Sequence, residues 1–226
     1  MSATAVGAVV GAVVCALPGP YLARLTHSVP DREMRDWWRG RPASTTRTAV
    51  TAVLGAVLGA LGGAAAGWSA LLPAFLALSL LATPLVVIDY TDHRLPNRLV
   101  YPLAAAGAVL LVLAALVRGD WHNLLRAVEG GAAVYAVLFV FQLLAPRSFG
   151  SGDVRLGGVL GGYLGWFGWG YVYYGIFAGF LLGAVVAVAL LMTRRASMKS
   201  AIPFGPMMII GALVVLAFRL VPSTAF

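Results

Sequence analysis

Carboxylates are scarce in this chain: eight among 226 residues, against sixteen lysines and arginines. Charged residues make up only 11% of it, where a soluble domain carries about 25%. So little charge excludes an ordinary water-soluble monomer. Cysteine is nearly absent too. Cys15, the only one, lies in the apolar run VVCAL, which excludes intrachain disulfides, thiolate zinc sites and cysteine-pair redox chemistry. It reads as a small packing residue, and Val14 before it argues against lipid modification. The first 23 residues lack a basic opening and a small-residue cleavage site, so the first span is expected to stay rather than leave as a signal peptide. No strand precedes Gly150-x-Gly152, which excludes a dinucleotide fingerprint.

What the chain has instead is apolar residues, 61% of the total. They fill uncharged runs at residues 1–23, 48–88, 99–117, 130–146, 156–193 and 200–218. A helix rises 1.5 Å per residue and the hydrocarbon core is about 30 Å thick, so roughly 20 residues cross it once. The runs 48–88 and 156–193 would each be about 60 Å long as single helices, so each is expected to be a hairpin. The turns fall at residues 67–73 and 165–170, where Trp suits the headgroup interface. The expected fold is all-α: one membrane-embedded domain over residues 1–226, polytopic, with about eight transmembrane helices. They are placed at residues 3–23, 49–67, 71–89, 99–117, 124–145, 154–168, 171–192 and 204–221.

With the N-terminus outside, thirteen of the sixteen basic residues lie on the cytoplasmic side and only Arg118, Arg126 and Arg219 lie outside, a strong positive-inside bias. The net charge of +8 then reflects topology and anionic lipid headgroups. The bases are dispersed over four loops with no nucleic-acid motif, so no nucleic-acid partner is expected. The cytoplasmic loop 26–47 is expected to hold a short amphipathic helix at residues 31–38, laying Trp37 and Trp38 on the bilayer surface. Glycines recur every four residues at Gly55, Gly59, Gly63 and Gly67, at Gly157, Gly161 and Gly165, and at Gly175, Gly179 and Gly183. Each stripe reads as a packing face for a neighbouring helix.

With so few acids, each position is informative. Asp31, Glu33 and Asp36 stand among arginines and read as solvated ion pairs. Asp120 falls in an outer turn, and Glu129 lies three residues from Arg126, a spacing that pairs them on a helix. Asp89 and Asp153 differ. The topology puts the first at the cytoplasmic end of the third span and the second at the cytoplasmic start of the sixth, so both carboxylates lie at one depth. Ionisable residues there are costly and are functional candidates by default. Asp89 opens DYTDHRLPN, where Pro96 and Asn97 form a turn. Asp153 lies in FGSGDVRL, where Gly150 and Gly152 allow close backbone approach. Asp92 is a rival acid placed in the loop beyond the span. His93 lacks a nucleophile or a ligand set, and Arg155 either neutralises charge beside Asp153 or snorkels to headgroups.

The chain resembles the type IV prepilin peptidases, GxGD-type intramembrane aspartic proteases. The resemblance rests on Asp89 with Pro96 and Asn97 seven and eight residues on, and on Gly150-Ser151-Gly152-Asp153-Val154-Arg155-Leu156, with arginine where the family usually has lysine. IPFGP at residues 202–206 and, more weakly, YLARLTHSVP at 21–30 extend it. The resemblance implies an aspartic endopeptidase in the cell membrane with Asp89 and Asp153 catalytic. Pro96, Asn97, Gly150, Gly152 and Arg155 would shape the loops or contact substrate. It implies as partner a type IV pilin-like precursor with a short basic leader, a small residue at the cut and then a hydrophobic helix, cleaved at the cytoplasmic face. Many members carry a four-cysteine metal-binding insertion in the first cytoplasmic loop and also methylate the new N-terminus. Residues 26–47 have no cysteine, so no metal is expected, and S-adenosylmethionine would be a cofactor only if methyl transfer were retained. The mechanism expected is water activated by one carboxylate while a second, protonated one polarises the carbonyl, the two titrating as a pair. A transporter would also use buried carboxylates, but the span centres here are almost wholly apolar. A non-catalytic assembly scaffold would not need both aspartates.

Overall fold

The computed structural model describes residues 2–31, 35–146, 150–193 and 203–221. These fold into helices α1 (Ala3–Ala16), α2 (Gly19–Ser28), α3 (Thr45–Ala66), α4 (Leu72–Asp92), α5 (Asn97–Arg118), α6 (Trp121–Leu144), α7 (Ser151–Phe167), α8 (Trp169–Met192) and α9 (Gly205–Ala217), with no strand among the described residues. The protein is an all-helical, multi-pass membrane protein. Five helices, α3, α4, α5, α6 and α8, are long and apolar enough to cross a bilayer, and α1 with α2 makes a sixth if the bent pair is one span.

Among the described residues, not every one of the eight expected spans is a helix of that length. The first run breaks at Pro18 and bends by 54° between α1 and α2, because proline cannot donate a helical hydrogen bond. The sixth and eighth expected spans give helices of only 17 and 13 residues. Leu156, Leu160, Leu164, Met208, Ile209 and Leu213 are fully buried, so α7 and α9 pack inside the bundle and need not span lipid alone. The two hairpin turns lie within the expected segments. Gly67, at φ +61°, ends α3, and Gly168, at φ +130°, separates α7 from α8, backbone conformations that favour glycine.

The glycine stripes are packing faces. Gly59 and Gly63 of α3 lie against the backbone of Gly11 and Gly7 on α1, and Gly161 and Gly165 of α7 against the backbone of Gly130 and Arg126 on α6. On α8, Gly175 meets Leu164, Gly179 meets Met208 and Gly183 meets Phe204. Lipid leaves helices no hydrophobic drive to associate, and close backbone approach supplies the attraction instead. Cys15 is fully buried in this packing, next to Gly55 and Gly59. The opposite face of α8 exposes Tyr173, Phe177, Leu181, Val185 and Val188, a stripe suited to acyl chains.

The described residues of the loop after α2 do not form the amphipathic helix expected at 31–38, of which residues 32–34 lie outside the described residues. Among its described residues only Trp37–Arg39 is helical, a single 3-10 turn. Trp38 is half exposed, whereas Trp37 packs against the core beneath the Arg98 guanidinium, 6.0 Å from its ring. Arg98 also donates to the Asp31 carbonyl at 2.7 Å, and Arg41 pairs with the Asp31 carboxylate at 2.7 Å. These contacts draw the loop onto the bundle. Glu33 lies outside the described residues. Glu129 is exposed on α6 and does not pair with Arg126, whose guanidinium turns to Asn123 instead.

Candidate active site

α4 delivers Asp89 to the end of the bundle. The helix runs one turn beyond it to Asp92, farther than the apolar run indicated, and closes on His93, whose left-handed backbone (φ 52°) lets its N–H donate to the Asp89 carbonyl at 3.0 Å. His93 is thus a capping residue. Asp92 belongs to the helix rather than the loop, but its side chain is exposed and accepts from the Thr91 hydroxyl at 2.8 Å. It does not line the cavity described next.

Asp89 is 5% exposed, and its Oδ2 accepts the Gly205 N–H, at the start of α9, at 3.1 Å. Asp153 stands in the first turn of α7, half-buried. Its N–H donates to the Gly150 carbonyl at 3.1 Å, and the Gly150 N–H donates back to Asp153 Oδ2 at 3.2 Å. This reciprocal pair satisfies two of the orphan amides of the helix start and fixes the carboxylate.

Both carboxylates line one polar cavity of about 670 Å³. Pro96, Asn97, Gly150, Gly152 and Arg155, the other residues singled out in the sequence, line it as well, together with Arg94 and Arg98. Asp153 lies within electrostatic reach of Asp89. Leu95 is the wedge that holds the loops together. A Cβ at Gly152 would come within 2.6 Å of the Leu95 Cβ, and one at Gly205 within 2.9 Å of Asp89 Oδ2 and 3.2 Å of the Leu95 methyls. Glycine is therefore required by close approach at both positions. Arg155 donates to Asn97 Oδ1 at 2.7 Å and lies 5.7 Å from the Tyr101 ring, so it bridges α7 to α5 rather than reaching for headgroups. Gly205 and Leu95 are the contributors that reading the sequence missed. Gly205 acts through its main-chain amide, and the only sign of it was its place in IPFGP.

A second cavity, apolar and of about 440 Å³, opens between α5, α6 and α7. Small residues form its floor, among them Ala104, Gly107, Gly131, Gly158 and Gly162, and Arg155 lines both this groove and the aspartate cavity. At the far end of α7 the buried Tyr163 hydroxyl donates to the Ala74 carbonyl of α4 at 2.9 Å, tying together the two helices that carry the aspartates. Among the described residues no three His, Cys, Asp or Glu side chains gather as a metal site would need.

Residues 74–188 match the type IV leader peptidase family, a stretch that includes both aspartates. Curated relatives named prepilin leader peptidase/N-methyltransferase match as well. The one from Aeromonas hydrophila is 32% identical, covering 66% of this chain and 50% of the relative. That from Stutzerimonas stutzeri is 31% identical over the same shares, and that from Pseudomonas putida is 35% identical, covering 57% of this chain and 43% of the relative. The chain thus spans about half the length of the curated relatives it matches. No solved structure gives a significant match.

Proposed function

This chain belongs to the type IV leader peptidase family, and we propose that it is a membrane-embedded aspartic endopeptidase removing the short basic leader from type IV pilin-like precursors at the cytoplasmic face of the cell membrane. One observation carries the reading: Asp89 and Asp153, distant in sequence, line a single polar cavity, each with one carboxylate oxygen fixed by a backbone amide. Two carboxylates in a site of low dielectric share a proton more readily than both ionise.

In the proposed reaction the ionised carboxylate takes a proton from a water, whose oxygen bonds to the scissile carbonyl carbon. The protonated carboxyl donates to the carbonyl oxygen. The tetrahedral adduct then collapses with cleavage of the C–N bond, and the leaving nitrogen receives a proton from the carboxyl pair. No covalent enzyme intermediate forms. The hydrophobic helix that follows the cut would lie in the apolar groove between α5, α6 and α7, which meets the aspartate cavity at Arg155.

The proposed activity does not include methyl transfer. The relatives' names carry N-methyltransferase, but residues 26–47 have no cysteine for a metal-binding insertion, and that loop lies drawn against the bundle by Arg98 and Trp37.

The test is cleavage of a pilin-like precursor from the same genome by the purified protein in lipid. Asp89→Asn and Asp153→Asn should each abolish cleavage while Asp92→Asn retains it, and mass spectrometry should find the product N-terminus unmethylated with S-adenosylmethionine present. Cleavage persisting without either Asp89 or Asp153 would refute the aspartic mechanism.

A further inference from the structure

We propose that the end of the bundle remote from Asp89 and Asp153 carries a binding site for a phosphate group. Arg118, Arg126 and Arg219, far apart in sequence, converge there on one polar cavity of about 420 Å³. α4 separates the two sites: Leu71, just before its first turn, lines this cavity and Asp89 the other, about 27 Å apart at the helical rise.

The positive charge in this cavity is incompletely balanced. Arg118 pairs with Asp120 at 2.6 Å. Neither Arg126 nor Arg219 forms an ion pair among the described residues. Arg126 turns one guanidinium nitrogen to Asn123 Oδ1, while its Nε is buried without a hydrogen-bond partner. An unsatisfied buried donor is costly, the more so on a cation, and an anion in the cavity beside this guanidinium offsets part of that cost through its charge. The backbone adds to the attraction, since α1 begins at Ala3 and its first residues, Ala3 and Thr4, line the cavity, which sets the positive end of that helix dipole beside it.

Among anions, phosphate fits best. Guanidinium groups bind its oxygens in forked pairs, and the exposed Trp68 in the cavity wall marks the depth of the headgroups, where lipid phosphate is abundant. Arg118 ends α5, Arg126 lies on α6 and Arg219 follows α9, so one phosphate would clasp three helices. Its effect is on stability, independent of the chemistry at the aspartates.

The full chain, purified in a neutral detergent, is titrated with phosphatidylglycerol, with a diacylglycerol of the same acyl chains, or with inorganic phosphate, following Tm and bound lipid by native mass spectrometry. A phosphate-bearing ligand should raise Tm and the diacylglycerol should not. Arg126→Gln/Arg219→Gln should weaken the midpoint by about tenfold or more, and Arg39→Gln should leave it unchanged. Displacement of the lipid by inorganic phosphate assigns the site to a soluble anion, and failure to displace it assigns the site to a headgroup. If the double variant does not fold, Arg219→Gln alone, at an exposed position, still weakens the midpoint by about threefold. Equal stabilisation by diacylglycerol, no stabilisation by either phosphate ligand, or unchanged midpoints in the arginine variants overturns the proposal.

Discussion

Asp89 owes its setting to a residue with no side chain. The Gly205 amide donates to its carboxylate at 3.1 Å, and any Cβ at that position would press on the same oxygen at 2.9 Å. Gly205→Ala should therefore displace the carboxylate from its donor. Steady-state cleavage is expected to show kcat down by at least about tenfold with KM little changed, the pattern of an interaction used in the transition state. Unchanged kcat would mean that the amide only packs. Asn97 and Arg155 offer a second test, because their 2.7 Å contact joins the start of α5 to that of α7. Asn97→Ala, Arg155→Ala and the double variant should give a coupling of about 1 kcal/mol in kcat/KM. Additive losses would separate the two roles.

At the scale of elements, α6 and α7 pack backbone to backbone through Gly130, Gly161 and Gly165, while α5 stands off from them and leaves the apolar groove. Gly162 is a half-buried point on its floor, where a Cβ would meet only the Ala127 carbonyl, at 3.5 Å. Gly162→Leu should fill the groove without disturbing the bundle. The expected result is a KM raised severalfold for a precursor with its hydrophobic helix and unchanged for a short peptide spanning the cut, measured side by side. Equal effects on both would remove the groove from substrate binding. The elements also show what hydropathy conveys. Long apolar runs located α3, α4, α5, α6 and α8, and glycine with tryptophan marked both hairpin turns. Hydropathy did not convey length, because a helix buried by protein, such as α7 or α9, needs no lipid-matched span, and a run of apolar residues looks the same on either side of Pro18.

For the molecule as a whole, the two polar cavities at opposite ends of α4 provide a measure of orientation. Cys15 is fully buried, so the wild-type chain should be silent to a membrane-impermeant maleimide. Single cysteines replacing the exposed His122 and His93 should then label from opposite sides: His122→Cys in intact cells, His93→Cys only after permeabilisation. The reverse pattern would invert the proposed topology. Asp89 and Asp153 were legible because acids are so rare that two at one depth stand out, and their flanking glycines and proline were legible with them. The amide of Gly205 and the wedge of Leu95 were not, since neither a main-chain donor nor a leucine among so many apolar residues carries a local signal.

The dependence of Asp89 on Gly205 has a consequence for biosynthesis. Chains emerge from the ribosome N-terminus first, and both aspartates are made well before residue 205. A nascent or prematurely terminated chain thus carries both acids but lacks the donor that sets one of them. The site is completed only when the start of α9 docks beside α4, so the proposed activity would wait for nearly the whole described bundle to be in place.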